Sequence, residues 1–505
     1  MNKFVGLIIL DGFGINESEY GNAIKLANPI NFNRYFTEYP ATTIQASGEA
    51  VGLPKGLAGN SEVGHLNIGA GRVVYQSLQK INNSIKDGSF FKNEAFLKIA
   101  EHVKSNDSTL HLMGLLSEKG AHGNMSHLFA LMDLAGSQGV KKVKIHCFMD
   151  GRDDLRDSGI NYLKKLQKQL KKYNNYEIAT LVGRAYAMDR DKNYNNTKHA
   201  YDGIVFAKGI KISDPIEYVL NSYANGEYDE FLKMAVVDGY NGVENGDGII
   251  FYNFREDRAR QLTESLVEKF DKFTTKKLKH VKMCTLTNYN DMFKNAIVAF
   301  DDENIEVNLA SVLSKNKLKF FKITETTKYA HVTYFLNGGV EKPYKGEDRF
   351  MIDTIKDVNY KEIPEMKAEE IANKAIEQIK TQKYSFMALN FSNPDMIGHT
   401  GDLNATIKAI KCVDKELGRV VDAILSVGGV AVVIADHGNA DEMLTKEGKP
   451  ITNHTANPVP FILISEPRMN VKLRKHGKLG NVAPTILELL GVEIPKEFIL
   501  PSMIE

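Results

Sequence analysis

Short, continuous apolar runs alternate along this chain with longer segments in which apolar residues recur every three or four positions. A short apolar run bounded by turn residues is typical of a strand buried on both faces, and the longer spacing is typical of a helix with one buried face. The helical spacing is clearest in Leu155–Lys172, Ala259–Phe270 and Ala368–Thr381. The runs predict strands at Phe4–Leu10, Thr109–Leu115, Lys142–Phe148, Tyr176–Val182, Gly248–Asn253, Lys282–Thr287, Tyr384–Phe391, Val430–Ala435 and Val459–Ile464.

The alternation of strands and helices indicates an α/β protein with parallel sheets covered on both faces. The ends of strands near the N-terminus and in the last quarter carry Asp and His, whereas those in the middle of the chain carry mainly Arg. If the Asp and His residues form one site, the first strand shares a sheet with the C-terminal third. We therefore predict two domains, a discontinuous parallel-sheet domain (residues 1–75 and 306–505) and an inserted α/β domain (residues 76–305).

Composition narrows the class of protein. The 505 residues exceed what one hydrophobic core usually supports, and the formal net charge of +1 argues against nucleic acid or an anionic membrane as the main partner. The three cysteines are far apart, which excludes a disulfide framework or a cysteine zinc site. Phe4–Leu10 meets Asp11 without a small-residue cleavage site, so a buried strand is favoured over a signal peptide. We expect a soluble, cytoplasmic protein.

Carboxylates and imidazoles cluster at the predicted strand ends. Asp395 and His399 are four residues apart, which places both on one face of a helical turn. Taken singly, an Asp after a strand is usually a turn or N-cap residue and a His is usually structural. Together, without a thiolate, six such residues suit two divalent metals such as Mn²⁺, Zn²⁺, Co²⁺ or Mg²⁺. The set is Asp11, Asp395, His399, Asp436, His437 and His454.

Ser61 lies in residues 59–65 (GNSEVGH), directly before an apolar helical pattern. The default interpretation of such a serine is a helix N-cap. A serine at a helix N-terminus is also well placed to act as a nucleophile, because the amides and the helix dipole there favour a phosphate or an alkoxide. The spacing alone does not choose between these two roles.

Cations follow four of the predicted strands in the middle of the chain. Arginine is suited to bidentate recognition of carboxylate and phosphate, so such a set predicts a site for a small anionic substrate. The alternative is that the arginines form local ion pairs with Asp153, Asp189 and Asp257. The cations are His122, Arg152, Arg184, Arg190, Arg255 and Arg258.

Five motifs in this order resemble cofactor-independent phosphoglycerate mutase, a family of the alkaline phosphatase superfamily. They are residues 10–14 (LDGFG), 59–65 (GNSEVGH), 393–401 (NPDMIGHTG), 436–441 (DHGNAD) and 454–460 (HTANPVP). The resemblance covers essentially the whole chain. It implies an alkaline-phosphatase-like metal domain and an inserted substrate-binding domain.

The resemblance also implies a role for each matched residue. Ser61 becomes phosphoserine, Lys328 neutralises phosphoryl charge, and Asp153 moves protons on the hydroxyls of a substrate bound by the cations of the insert. No 2,3-bisphosphoglycerate is required, and we expect a monomer. The resemblance further implies two bound Mn²⁺ ions, one held by Asp395, His399 and His454 and the other by Asp11, Ser61, Asp436 and His437.

The sequence departs from the family at residues 192–198 (KNYNNTK), at Ala185 and Glu256, and in having no Trp. None of these positions is a matched ligand. The expected activity is therefore interconversion of 3-phosphoglycerate and 2-phosphoglycerate through a phosphoserine. The rival is a metal-dependent phosphomonoester hydrolase of the same superfamily, which would share the metal motifs but would not need the arginines. A non-catalytic scaffold would tolerate losing Ser61 or a ligand, and all are present.

Overall fold

The computed structural model describes residues 4–301, 305–356 and 358–505. The chain divides into two compact units. The first unit is discontinuous and consists of Met1–Gln76 and Glu303–Glu505; the second, Ser77–Asp302, is here called the insert.

The strands of the described residues form two sheets of eight strands each. They are β1 (Val5–Leu10), β2 (Ala41–Gln45), β3 (Leu110–Leu115), β4 (Val143–Met149), β5 (Tyr176–Gly183), β6 (Ile210–Ile212), β7 (Ala235–Val237), β8 (Gly248–Phe251), β9 (Lys282–Thr285), β10 (Ala296–Val298), β11 (Phe320–Glu325), β12 (Glu347–Ile352), β13 (Phe386–Phe391), β14 (Val430–Ile434), β15 (Val459–Ser465) and β16 (Gly477–Lys478).

The α-helices of the same residues lie mostly in the connections that follow the strands. They are α1 (Ala23–Ala27), α2 (Ile30–Glu38), α3 (Ser61–Ala70), α4 (Ser77–Asp87), α5 (Glu94–Ser105), α6 (Met125–Ser137), α7 (Gly159–Leu170), α8 (Arg184–Ala187), α9 (Tyr194–Phe206), α10 (Pro215–Ala224), α11 (Arg260–Val267), α12 (Leu309–Lys315), α13 (Ala368–Lys380), α14 (Asn393–Gly398), α15 (Leu403–Ser426) and α16 (Val482–Leu490).

The sheet of the first unit has the order β12-β11-β13-β1-β14-β15-β2-β16, and that of the insert has the order β10-β9-β8-β3-β4-β5-β7-β6. The predicted α/β class with parallel sheets is confirmed, and each sheet is mainly parallel but includes antiparallel pairs. β15 runs antiparallel to β14 and β2, and β7 runs antiparallel to β5. The described connection between β14 and β15, residues 435–458, forms no helix, and a parallel return normally requires such a crossover.

All nine predicted strands are present, within a few residues of their predicted ends. They occupy the centre of each sheet as one uninterrupted block, and the strands that the pattern missed lie outside it. The missed strands are β2, β11, β12 and β16 in the first unit and β6, β7 and β10 in the insert.

The insert packs apolar side chains on both faces of its sheet. Leu112 of β3 belongs to one buried cluster, and its neighbour Met113 belongs to another. This double burial explains why the central strands have unbroken apolar sequences. Within the described residues, no helix combines the length and the apolar character that crossing a membrane requires.

Candidate active site

Three buried carboxylates lie at the carboxyl ends of neighbouring central strands in the first unit. Asp11 follows β1, Asp436 follows β14, and Asp395 lies in the first turn of α14, just beyond β13. Because β13, β1 and β14 are parallel neighbours, their ends meet at one edge of the sheet. Gly12 has φ +75°, and a Cβ there would lie 2.8 Å from the Cα of Asp395. The backbone after Asp11 thus requires glycine.

Two histidines surround the Asp395 carboxylate, and a third lies nearby. The Nε2 atoms of His399 and His454 each lie 3.2 Å from Asp395 Oδ1 and 3.0 Å from each other. His437 Nε2 lies 3.9 Å from the same oxygen. The predicted one-face arrangement of Asp395 and His399 on α14 brings their side chains into contact, as expected.

The orientation of these three imidazoles is set by the backbone. Nδ1 of His399 donates to the carbonyl of Thr452 (2.7 Å), Nδ1 of His454 to that of Gly59 (2.9 Å) and Nδ1 of His437 to that of Gly438 (3.2 Å). A carbonyl only accepts, so each Nδ1 carries the hydrogen, and in the neutral ring each Nε2 presents a lone pair. Lone pairs converging on a carboxylate fit a divalent cation. Ligand atoms of Asp395, His437 and His454 lie within 4.8 Å of one another.

A second group with metal-ligand geometry consists of Asp11, His65 and Asp436, whose ligand atoms also lie within 4.8 Å of one another. Asp436 Oδ1 accepts the backbone N–H groups of Gly12 (3.3 Å) and His437 (3.1 Å). Asp436 Oδ2 is buried without a hydrogen-bond partner among the described residues. An unpaired buried carboxylate oxygen is costly, so the two carboxylates of this group also fit a bound cation.

Ser61 is the first residue of α3 rather than its N-cap, so the default interpretation is wrong. The cap is Asn60, whose side chain accepts the N–H of Val63 at 3.0 Å. The Ser61 hydroxyl is therefore free to face the carboxylates. Its Oγ donates to Asp11 Oδ1 (3.2 Å) and lies 2.9 Å from His437 Nε2.

Lys328 lies in a short 3₁₀ turn that follows β11, and its side chain is buried. Its Nζ donates to Ser61 Oγ (2.6 Å), Asp395 Oδ2 (2.7 Å) and Asp11 Oδ1 (2.8 Å). Burial would lower the pKa of Lys328, but the charges of Asp11 and Asp395 outweigh it and raise the pKa above its usual value. The ammonium is therefore held beside the serine oxygen.

The same electrostatic interactions shift the pKa values of Asp11 and His437. Burial would raise the pKa of Asp11, but Lys328 holds it well below its usual value. Burial would lower the pKa of His437, but the carboxylates, Asp436 foremost, raise it to about 9. In the absence of metal, protons on His437 and Lys328 therefore balance part of the carboxylate charge.

The predicted cations of the insert lie at the carboxyl ends of β3, β4, β5 and β8, which are neighbours in its sheet. Arg184 opens α8 and donates to Asp153 (2.5 Å) and Asp150 (2.6 Å). His122 Nε2 lies 3.7 Å from Asp153, and its Nδ1 lies 3.5 Å from Asp257. We call the six cations of this edge, His122, Arg152, Arg184, Arg190, Arg255 and Arg258, the arginine cluster.

The alternative interpretation, in which the arginines form local ion pairs with aspartates, holds for some of them. Asp257 contacts both Arg190 (2.7 Å) and Arg255 (3.2 Å). Asp189 has another role, since it accepts the N–H groups of Asp191 at 3.1 Å and Asn193 at 3.0 Å, just before α9, in which most of the divergent residues 192–198 lie.

Positive charge nevertheless crowds the arginine cluster. Burial, followed by the charges of Arg190 and Arg184, lowers the pKa of Arg258. Burial and Arg184 lower the pKa of His122 to about 4. The buried Nδ1 of His122 and Nε of Arg184 have no hydrogen-bond partner among the described residues. These are the properties of an anion-binding surface. Arg152 lies at its edge, with 53% of its side chain exposed and Glu230 at 3.3 Å.

The structure thus gathers the predicted metal residues, Ser61 and Lys328 in the first unit, and the predicted substrate residues in the insert. Sequence reasoning missed His65, whose Nδ1 lies 3.2 Å from Asp436 Oδ2. The signal was available, because His65 comes four residues after Ser61 and so shares its helix face.

Comparison with known proteins agrees with this geometry. Residues 3–494 match the family model described as the metalloenzyme superfamily. The chain is 46% identical, over all of its length and 99% of theirs, to 2,3-bisphosphoglycerate-independent phosphoglycerate mutases of Staphylococcus aureus strains COL and MRSA252. Among solved structures, a phosphoglycerate mutase of Leishmania mexicana at low cobalt concentration is 30% identical with a TM-score of 0.60, covering 100% of this chain and 98% of that one.

The full-length identity and the two candidate metal groups lead to the same assignment. This chain belongs to the 2,3-bisphosphoglycerate-independent phosphoglycerate mutases, within the metalloenzyme superfamily.

Proposed function

We propose that the chain interconverts 3-phosphoglycerate and 2-phosphoglycerate, with Ser61 carrying the phosphoryl group from one hydroxyl of glycerate to the other. The observation that carries the proposal is the environment of Ser61 Oγ, which lies 2.6 Å from the buried ammonium of Lys328 and 2.9 Å from His437 Nε2. A buried cation beside a hydroxyl stabilises its alkoxide and the charge of an attacked phosphoryl group.

In the first half of the cycle, Ser61 Oγ attacks phosphorus and forms the phosphoserine, while the P–O bond to the glycerate oxygen breaks. In the second half, the other glycerate hydroxyl attacks the phosphoserine and releases Ser61. Lys328 neutralises the phosphoryl oxygens in both halves.

The resident metals are proposed to be two divalent ions, preferentially Mn²⁺. The carboxylate and imidazole ligands, without thiolate, support this class of metal. When bound, the ions lower the pKa of the serine hydroxyl and polarise the phosphoryl oxygens. Asp395, His399 and His454 would hold one ion, and Asp11, Ser61, Asp436 and His437 the other.

The arginine cluster is proposed to hold the carboxylate and hydroxyls of glycerate while the phosphoryl group stays on Ser61. Asp153 is the proposed proton carrier. Burial would raise the pKa of Asp153, but Arg184 keeps it below the usual value, so the carboxylate is ionised at neutral pH. It takes the proton of the glycerate hydroxyl that attacks the phosphoserine and passes it to the glycerate oxygen that has lost phosphorus. Ser61 attacks and leaves as its alkoxide, so the cycle has no net proton change.

The proposal includes a monomeric working unit in a reducing, cytoplasmic compartment. One chain supplies both sets of residues, and Cys147, Cys284 and Cys412 are all free thiols.

The deciding experiment follows 3-phosphoglycerate in Mn²⁺ buffer by phosphorus NMR, with and without added 2,3-bisphosphoglycerate. We expect 2-phosphoglycerate as the main product in both cases, and mass spectrometry of quenched samples should find phosphate on the peptide containing Ser61. Release of mainly inorganic phosphate would favour the hydrolase, and a requirement for 2,3-bisphosphoglycerate would refute the proposed cycle.

A further inference from the structure

Two buried polar residues that the proposed mechanism does not use, His65 and Asn390, lie behind the second metal group. His65 is on α3 and is 0% exposed, and Asn390 is the penultimate residue of β13 and is also 0% exposed. Fully buried polar groups are expected to have defined partners. Their hydrogen bonds form one chain that joins Asp11 to Ser61.

The direction of each bond in this series of hydrogen bonds is determined because both ends of the series, the Asp11 carboxylate and the Ser61 carbonyl, can only accept. The ionised Asp11 only accepts, so the atom of Asn390 that lies 2.8 Å from Asp11 Oδ2 must be the amide nitrogen. The same Nδ2 lies 3.2 Å from His65 Nε2, which must therefore accept. The hydrogen of His65 is then on Nδ1, which donates to the carbonyl of Ser61 at 2.9 Å. Every bond is consistent with its neighbours, and reversing any one of them would oppose two donors or two acceptors.

This series of hydrogen bonds fixes two groups of the site and leaves a third accessible. Asn390 occupies Asp11 Oδ2, which leaves Oδ1 to face Ser61 and Lys328. His65 holds the peptide carbonyl of Ser61 in the first turn of α3. It also places its ring 3.2 Å from Asp436 Oδ2 without hydrogen-bonding it, so that oxygen stays available to a cation.

We propose that His65 and Asn390 are a pair of positioning residues, which orient Asp11 and the first turn of α3 for metal binding and for attack by Ser61. The inference rests on the proposed function of Ser61 and Asp11 and deepens it. Neither residue touches the substrate or the metal in this role. Partners behind metal ligands typically change metal affinity or activity by about 10- to 100-fold when they are replaced.

The informative variants remove or reverse one hydrogen bond of His65 or Asn390 while leaving a side chain of similar size. Asn390→Asp is nearly isosteric but replaces the amide donor with an acceptor that faces Asp11. His65→Asn keeps a donor near the position of Nδ1, whereas His65→Gln keeps an acceptor near that of Nε2 and loses the donor to Ser61. The matched control is His127→Asn, another buried helical histidine paired with an asparagine, Asn82 at 3.0 Å, but in the insert.

The primary measurement is the dissociation constant of Mn²⁺ for each full-length protein, by calorimetry after chelation and dialysis, with circular dichroism to verify folding. We expect Asn390→Asp and His65→Gln to bind Mn²⁺ about 10- to 100-fold more weakly than wild type. His65→Asn should recover part of the loss, and His127→Asn should bind as wild type does. In kinetics with saturating metal, kcat should fall while KM for phosphoglycerate changes little, because the arginine cluster remains intact.

Three outcomes would overturn the inference. One is folded Asn390→Asp and His65→Gln proteins with wild-type Mn²⁺ affinity and kcat. Another is an equal loss in His127→Asn, which would show a general effect of losing a buried imidazole. The third is additive losses of affinity in the double variant, since residues of one hydrogen-bonded chain are expected to couple. If instead wild type itself binds no metal, the proposed function fails rather than this inference alone.

Discussion

The two units place functional residues at the same location in their folds but with opposite charge. In the first unit, the carboxyl ends of β13, β1 and β14 gather three carboxylates around one lysine, Lys328. In the insert, the ends of β8, β3, β4 and β5 gather the arginine cluster around a few aspartates. In both units the functional residues follow the carboxyl ends of the central strands, and the charge of those residues decides whether the site attracts cations or anions.

In the proposed function, this contrast corresponds to phosphoryl chemistry in the first unit and retention of glycerate in the insert. Variants in the two units should therefore fail in different ways, and the following tests exploit that difference.

The largest effect is expected for Ser61→Ala, which should abolish turnover because no other group carries the phosphoryl. The free energy of unfolding should change by only about 1 kcal/mol, because one hydroxyl is lost and the Asn60 cap stays. Asn60→Ala is the matched control, since it removes the cap, at a cost of about 1 kcal/mol, and keeps the hydroxyl. Turnover by purified Ser61→Ala would eliminate the covalent route.

Removing metal by exhaustive chelation should also abolish turnover, but reversibly, with Mn²⁺ restoring it. Because the carboxylates of Asp11, Asp395 and Asp436 repel one another without a cation, the chelated protein should unfold at a lower temperature. Arg255→Ala should retain the full Mn²⁺-induced rise in Tm, measured by calorimetry. Full activity of protein shown by elemental analysis to be metal-free would contradict the two-metal proposal.

An intermediate effect is expected for Arg255→Ala and Arg184→Ala. Loss of a charge-assisted contact with an anion costs about 1.5–3 kcal/mol, or roughly ten- to a hundred-fold in affinity. Phosphoserine should still form, but glycerate should escape and the products should shift from 2-phosphoglycerate toward inorganic phosphate. Arg255 is the cleaner site because its side chain is 52% exposed, whereas Arg184 pairs with the buried Asp150.

The control for these variants is Lys141→Ala, which removes an exposed cation from the opposite end of the same sheet, where Lys141 pairs with Asp107. It should leave the product ratio unchanged. Normal isomerisation by the arginine variants would show that the cluster is not the glycerate site.

The smallest effect is a pH dependence of the metal-induced stabilisation. In metal-free protein the pKa of His437 is about 9, above the ordinary 6.5, so its protonation stabilises the fold fully below about pH 6.5 and this contribution is lost as the pH rises through about 9. Metal requires the neutral ring and competes with that proton. The rise in Tm on adding Mn²⁺ should therefore grow from pH 6.5 to pH 9, in wild type and in Arg255→Ala alike, and turnover should fall toward pH 6. A rise in Tm that shrinks with pH would contradict the assignment of His437.

The sequence predicted the centre of each sheet better than its margins, for a physical reason. Central strands such as β1 and β14 are covered on both faces and consist of continuous apolar residues. β11, although fully buried, includes Lys322 and Glu325, whose charges are balanced by Glu347 and by hydrogen bonds from Ser392 and Thr354. Such compensation comes from other parts of the chain, so local hydrophobicity does not indicate it.

The residues of the candidate site could also be predicted from the sequence only in part. Residues that directly follow apolar runs, such as Asp11 and Asp436, could be identified from the sequence. The N-cap of α3 could not be identified from the sequence, because Asn60 and Ser61 are both good N-cap residues and only the backbone conformation decides between them. The spacing of His65 from Ser61 could indicate that they share a helix face, but its hydrogen bond with Asn390 could not be predicted because Asn390 is distant in the chain.

The backbone carbonyls that hold His399, His437 and His454 have a consequence for how the family can vary. A support made of side chains can be lost through a single substitution, whereas a peptide carbonyl is present whatever residue carries it. Thr452, for example, contributes only its main chain to this contact, so many residues could replace it without turning His399. The metal centre should therefore tolerate substitution at Thr452 but not at Gly59, where a Cβ would lie 2.1 Å from the carbonyl oxygen of Ala46. It should also be vulnerable to insertions or deletions, which move the carbonyls themselves.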